Sequence, residues 1–227
     1  MGVTTEQQDR SATTPAIDAV TRTDVLKASP PMFRTPFMDR ATRVHPSVPL
    51  VIFVPAIVVL AVLAADRGLG AVRLAIFFAL GWVLWGLVEY WVHRILFHFE
   101  PEEGWGARLH WMVHGVHHDH PNDPLRLVMP PVVSVPGTAA FVLVFVAILG
   151  VGDGFALGAG FIAGYLVYDM THHHLHHHKP RTRAGLLLRE LHMRHHFQDD
   201  TRGFGISAPW WDAIFRTLPQ RPGRKRR

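Results

Sequence analysis

Four long stretches of this chain carry no charge, and polar residues crowd between and after them. They are Pro46 to Ala65, Leu74 to Val88, Leu127 to Gly152 and Gly154 to Tyr168. A helix crosses the hydrocarbon core of a bilayer in roughly 17–25 residues. The first and third stretches reach that length outright. The second reaches it if its helix runs on through Glu89 to Trp91, and the fourth if it runs on through Asp169. A helix that is apolar all round is either buried or in lipid. Four of them in 227 residues leave little soluble surface. The pattern predicts four transmembrane helices.

The connections agree with that reading. Asp66 to Gly70 is a tight turn. Trp82, Trp85, Tyr90 and Trp91 stand toward the end of the second stretch, where an aromatic belt meets the headgroups. Pro130, Pro131 and Pro136 predict an irregular entry into the third, a break that needs protein cover in lipid. Gly154/Gly158 and Gly160/Gly164 are spacings that let helices approach closely. Arg108 to Val116 and Arg183 to Phe197 read as helices outside the membrane, and Trp210 to Phe215 as an amphipathic turn. Residues 1–45 are polar, rich in Thr and Pro, and are expected to be largely disordered until about Pro30. The chain thus divides into a polar, partly disordered segment 1–45, a membrane domain 46–216 and a basic tail 217–227.

Net charge is +5, with twelve Lys/Arg against four acids from Lys179 onward. By the positive-inside tendency that end is cytoplasmic, and four spans return the N-terminus to the same side. The closing RPGRKRR reads as a solvated tail, and no nucleic-acid partner is expected. The polar N-terminus lacks an apolar h-region, so no cleavable signal peptide is expected. With no cysteine, neither disulfides nor thiolate metal ligands are available.

Histidine changes the picture. Sixteen of seventeen histidines lie between His93 and His196. They fall in four clusters: His93/His98, His110 to His120, His172 to His178, and His192/His195/His196. On a helix, residues three and four apart share a face. His114/His117/His118 therefore aim at one point, as do His192/His195/His196, and His172/His176 is another such pair. His93/His98 requires its helix to end or loosen between them. His173, His174, His177 and His178 cannot point to the same place and are expected outside the site. His110 is a candidate behind the ligands, and His120, before Pro121, is left out. Ten imidazoles exceed the four ligands that zinc normally takes, so two metals with about five nitrogens each are expected. Imidazole suits iron, zinc, copper and nickel alike. A metal pair beside acyl chains points to redox chemistry on lipid, for which iron activates O2. Zinc is a possible occupant after overexpression. Glu89 and Asp169, four and three residues before His93 and His172, are candidates to orient ligand imidazoles.

HRILFH, HGVHHDHPNDPLRLVMPP, YDMTHHHLHH and HMRHHF, followed by GFGIS and WWDAIF, resemble the fatty acid hydroxylase branch of the membrane sterol desaturase superfamily over roughly residues 80–216. The RLVMPP element resembles fatty acid 2-hydroxylases more than sterol desaturases. The resemblance implies ten metal-binding histidines, which by position are His93, His98, His114, His117, His118, His172, His176, His192, His195 and His196. It implies an all-α integral membrane protein, with four transmembrane helices under a cytoplasmic histidine-rich helical cap that holds a dinuclear metal site. It also implies O2-dependent hydroxylation at C2 of a long acyl chain. Relatives often carry a fused cytochrome b5 domain. No haem-binding HPGG lies in these 227 residues, since His45-Pro46-Ser47 is not one. Electrons are therefore expected from a separate redox partner.

Arg126, in RLVMPP, is a candidate clamp for the substrate headgroup, and Trp210 and Trp211 are candidates to contact the lipid. The same metal site could serve a desaturase or a sterol or carotenoid oxidase. A metal transporter fits less well, because transporters place ionisable groups near the midplane and these spans are nearly free of them.

Overall fold

A computed structural model of the protein describes residues 20–99, 101 and 103–220. Among these residues all regular structure is helical. Four helices are long and apolar enough to cross a membrane: α3 (Ser47–Asp66), α4 (Ala71–Trp91) with its continuation to Phe97, α7 (Pro131–Leu149) and α8 (Val151–His177). The uncharged stretches thus become helices, and the second and fourth do run on through Glu89 and Asp169. An acid inside a span is tolerated only where it faces protein, and both are buried.

α8 is the central post. In α8, 78% of the apolar stretch is buried, against 17–22% in the other three. It packs on α4, α3 and α7. Its glycines explain how. A Cβ on Gly160 would sit 1.9 Å from the Phe78 carbonyl oxygen of α4, and one on Gly158 would sit 2.9 Å from Val142 of α7. The two glycine pairs read from the sequence face different partners: Gly154/Gly158 admits α7, and Gly160/Gly164 admits α4. Without a hydrophobic drive between helices in lipid, close backbone approach of this kind is a main source of packing energy. An edge-on aromatic cluster adds to it. Trp85 meets Phe161 at 5.2 Å and Tyr165 at 5.1 Å, and Phe53 of α3 meets Tyr165 at 5.0 Å. Each such pair contributes about 0.5–1.5 kcal/mol beyond area burial. The cluster lies two turns before His93 and His172, so it fixes the two helix ends that carry histidines.

Those ends are capped by shorter elements: α1 (Arg22–Lys27), α2 (Pro36–Ala41), α5 (Gly104–His110), α6 (Val116–Asp119), α9 (Arg183–Phe197) and α10 (Trp210–Ile214). α1 falls where the sequence left disorder until about Pro30. Thr21 and Asp24 form a reciprocal capping box that starts it. The segment then straps across the cap: the Leu26 carbonyl accepts from Asn122 N–H, and the Val44 N–H donates to the Leu125 carbonyl. Residues 1–19 and the RPGRKRR tail lie outside the described residues, and with them the expectations for those stretches.

Candidate metal centre

The helix that carries His93 changes character before it ends. Val92–Phe97 is π-helical, and the His98 N–H donates to the His93 carbonyl at 3.2 Å. A π turn brings residues five apart onto one face. This is the loosening that the His93/His98 spacing requires. A second π segment, Trp111–Gly115, joins α5 to α6 and turns His114 into the interior. Below it, α8 presents His172 and His176, and α9 presents His192, His195 and His196.

The ten histidines assemble as two groups of five. His93, His98, His114, His118 and His195 form one, and His117, His172, His176, His192 and His196 the other; within each, the ligand atoms all lie within 4.8 Å of one another. Each HxxHH triplet was expected to aim at a single point. Instead each one divides: His117 parts from His114 and His118, and His195 from His192 and His196. The groups share a wall, where the rings of His118 and His196 stack at 4.3 Å.

Neighbouring Nε2 atoms are 3.0 Å apart for His114/His118, 3.1 Å for His98/His195 and 3.2 Å for His93/His114 in the first group. In the second they are 2.9 Å for His117/His172, 3.0 Å for His117/His196 and 3.1 Å for His192/His196. An ion about 2.0–2.1 Å from each nitrogen sets neighbouring nitrogens roughly 3.0–3.4 Å apart. Hydrogen bonding cannot account for five Nε2 atoms facing one another, because a neutral imidazole offers one donor and one acceptor. The donor set fits two metal ions. Electrostatics agree. Burial and then the neighbouring imidazoles hold His98 and His118 at about 3 and push His114, His117, His192 and His196 well below the usual histidine range. Ligand imidazoles must be neutral.

The orienting groups are not the acids that spacing suggested. The His93 Nδ1–H donates to the Phe204 carbonyl at 2.8 Å, and the His195 Nδ1–H to the Arg202 carbonyl at 2.8 Å. Both leave the Nε2 lone pair for metal. Glu89 instead takes the Ser207 N–H at 2.8 Å and the Ser207 hydroxyl. Asp169 takes the Met129 N–H at 3.2 Å and the Tyr165 hydroxyl at 3.4 Å. Neither touches an imidazole; both hold loops. His110 donates from Nε2 to the Phe97 carbonyl at 2.7 Å, which ties α5 to the residue before His98. Sequence reasoning missed Asp212. It is buried in α10 and accepts from Phe204 N–H at 2.9 Å, Gly205 N–H at 2.7 Å and the Thr217 hydroxyl at 2.7 Å. Glu89 and Asp212 thus grip the GFGIS loop from two sides, and that loop aims His93. A WWD run beside a glycine-rich loop was the available signal.

Arg126 is not placed as a headgroup clamp. Its side chain is 3% exposed and pairs with Asp39 at 2.7 Å, with further bonds to the Pro30 carbonyl and the Thr42 hydroxyl. It ties the N-terminal strap to the cap, because a buried guanidinium needs acceptors on every side. Trp210 is exposed, and Trp211 lies against Gly86 of α4 and stacks on Phe215. His174 and His178 are exposed, and His173 and His177 pair with each other at 4.5 Å between rings, outside both groups.

Comparison with known proteins places this arrangement. The chain is 34% identical to the dihydroceramide fatty acyl 2-hydroxylase FAH2 of Arabidopsis thaliana, over 86% of this chain and 82% of that one. It is 42% identical to the fatty acid 2-hydroxylase of Homo sapiens, over 64% of this chain and 40% of that one. A solved structure of full-length scs7p, in which only the hydroxylase domain is visible, superposes with a TM-score of 0.77 at 34% identity, covering 83% of this chain and 73% of that chain. The family model for fatty acid hydroxylases matches residues 78–217, the span that holds all ten grouped histidines and the loop that aims them. The chain belongs to the fatty acid hydroxylase family.

Proposed function

We propose that the protein is a dinuclear-iron, O2-dependent hydroxylase of long-chain fatty acyl lipids that acts at C2. The observation that carries this reading is the pair of five-nitrogen groups at the ends of membrane helices, in a chain similar to fatty acid and dihydroceramide fatty acyl 2-hydroxylases. His93, His98, His114, His118 and His195 would hold one ion, and His117, His172, His176, His192 and His196 the other. Iron bound there supplies the activation of O2 needed to oxidise an unactivated C–H bond. The protein does the rest. The Phe204 and Arg202 carbonyls keep His93 and His195 in one tautomer. Glu89 and Asp212 keep the GFGIS loop from shifting. The helix bundle would hold the acyl tail along its length, with the head at the cap, and the exposed Trp210 of α10 would contact the lipid. The carbon oxidised is the one held at roughly 3–3.5 Å from the oxidant. The site and both termini lie on the cytoplasmic side, and a separate redox protein supplies electrons. Zinc bound at the same sites after overexpression would not change oxidation state, so such a preparation would be inactive.

Mass spectrometry of lipids from cells that express the gene, grown with and without isotopically labelled O2, tests this. The expected result is 2-hydroxyacyl lipid carrying one oxygen atom from the gas. A new double bond without oxygen would identify a desaturase, and an unchanged lipid profile beside ion uptake into vesicles would identify a transporter.

A further inference from the structure

One surface of the cap is apolar, with no partner among the described residues. α5, the π segment Trp111–Gly115 and α6 form one continuous helical run from Gly104 to Asp119. Positions four apart share a face. Trp105, Leu109 and Val113 do so, and they are 81%, 44% and 47% exposed. The other side of the same run carries His110, whose Nε2–H reaches the Phe97 carbonyl, and the buried His114. Beside it, Ile95, Leu96 and Phe99 are 61%, 62% and 67% exposed. Ile95 and Leu96 belong to the cap end of a membrane span that runs from Ala71 to Phe97. The His110–Phe97 bond joins the two elements, so both sets of exposed apolar side chains belong to the cap end of the span that α4 begins. Arg108 is exposed on the same run, and Glu103 just before it.

We infer that this run is an interfacial helix: its Trp105/Leu109/Val113 face lies in the headgroup–acyl boundary of the bilayer that α4 crosses. The physical grounds are the stripe, the attachment of its helix to the end of a span, and the tryptophan. Contiguous exposed apolar area of this kind marks an interaction site. A helix apolar on one side and polar on the other lies in the interface plane. Tryptophan concentrates at that depth. The opposite face carries a metal-group histidine, so the run holds the His98/His114 end of the site at the lipid boundary. The inference rests on the membrane spans and not on the reaction proposed above.

The chain has no cysteine, so single nitroxide labels can be placed without background. Leu109→Cys and Val113→Cys, with Asp200→Cys in a polar loop as reference, are labelled in the full-length protein in phospholipid vesicles. Metal content serves as the check of folding. Collision with dissolved O2 and with a water-soluble nickel chelate is read by power saturation. Labels at positions 109 and 113 should favour O2 several-fold, and the label at 200 should favour the chelate. In unlabelled protein, lipids brominated near the headgroup should quench tryptophan emission, with a loss of quenching in Trp105→Phe. Chelate-favouring behaviour at positions 109 and 113, with no Trp105 contribution to quenching, overturns the inference. Strong spin–spin broadening between labels on different chains also overturns it, because the face would then join two copies.

Discussion

Single side chains carry unequal weight around the two histidine groups. His114 and His195 each contribute an Nε2 to the first group, whereas His178 is the exposed residue just past the end of α8. We expect His114→Ala and His195→Ala to abolish hydroxylation and to lower bound metal, while His178→Ala keeps both. Lipid analysis and elemental analysis of purified protein check this, and equal losses in all three would show that the whole tract is structural. Asp212 touches no imidazole, yet it holds two backbone N–H groups of the loop that orients His93. Its carboxyl is pushed up by burial, and the donors from Thr217, Gly205 and Phe204 oppose that. Removing an outer partner of a metal ligand costs about 10–100-fold in metal affinity or activity. Asp212→Ala should fall in that range by competitive chelation, with Asp212→Asn recovering part of the loss. An Asp212→Ala protein with wild-type metal affinity would sink the positioning role.

Between elements, the contact that matters most is α4 against α8, because each ends in histidines. Gly160 lies where a Cβ would meet the Phe78 carbonyl at 1.9 Å, whereas Gly137 of α7 has nothing within 4 Å. Overpacking a close contact costs about 1–3 kcal/mol. Gly160→Ala should lower the thermal midpoint and reduce metal content as His93 shifts relative to His172. Gly137→Ala should leave both unchanged. Thermal melts of the two variants side by side, with elemental analysis, decide this; matching behaviour would mean that the α4–α8 approach is not what sets the site.

Across the whole molecule, stability and metal retention should share one pH dependence. His98 and His118 are held at about 3, chiefly by burial, while unfolded histidine titrates near roughly 6.5. Below that value the unfolded chain binds more protons than the folded one, so stability rises with pH across the window between the two values. We expect the thermal midpoint and bound metal to stay level above about pH 7 and to fall together as pH drops through about 6.5 toward 5. A midpoint that stays flat down to pH 5 would show that the grouped imidazoles are solvated.

How far the sequence reaches follows from which signals are local. The uncharged stretches sufficed for four spans, because every backbone group in lipid must be satisfied within its own helix. The histidine spacing, together with the family resemblance, singled out the ten residues that assemble, and spacing pointed to the loosened turn between His93 and His98, because side-chain direction on a helix repeats with short period. Three things needed the tertiary structure. How the triplets divide between the two groups depends on the relative rotation of α6, α8 and α9, which no local pattern encodes. The groups that orient His93 and His195 are backbone carbonyls of Phe204 and Arg202, and every residue has one, so composition cannot mark them. The tasks of Glu89, Asp169 and Arg126 turn on partners 118, 40 and 87 residues away. A charge read from sequence shows that a partner is needed once the residue is buried; only the packed chain shows which partner it finds.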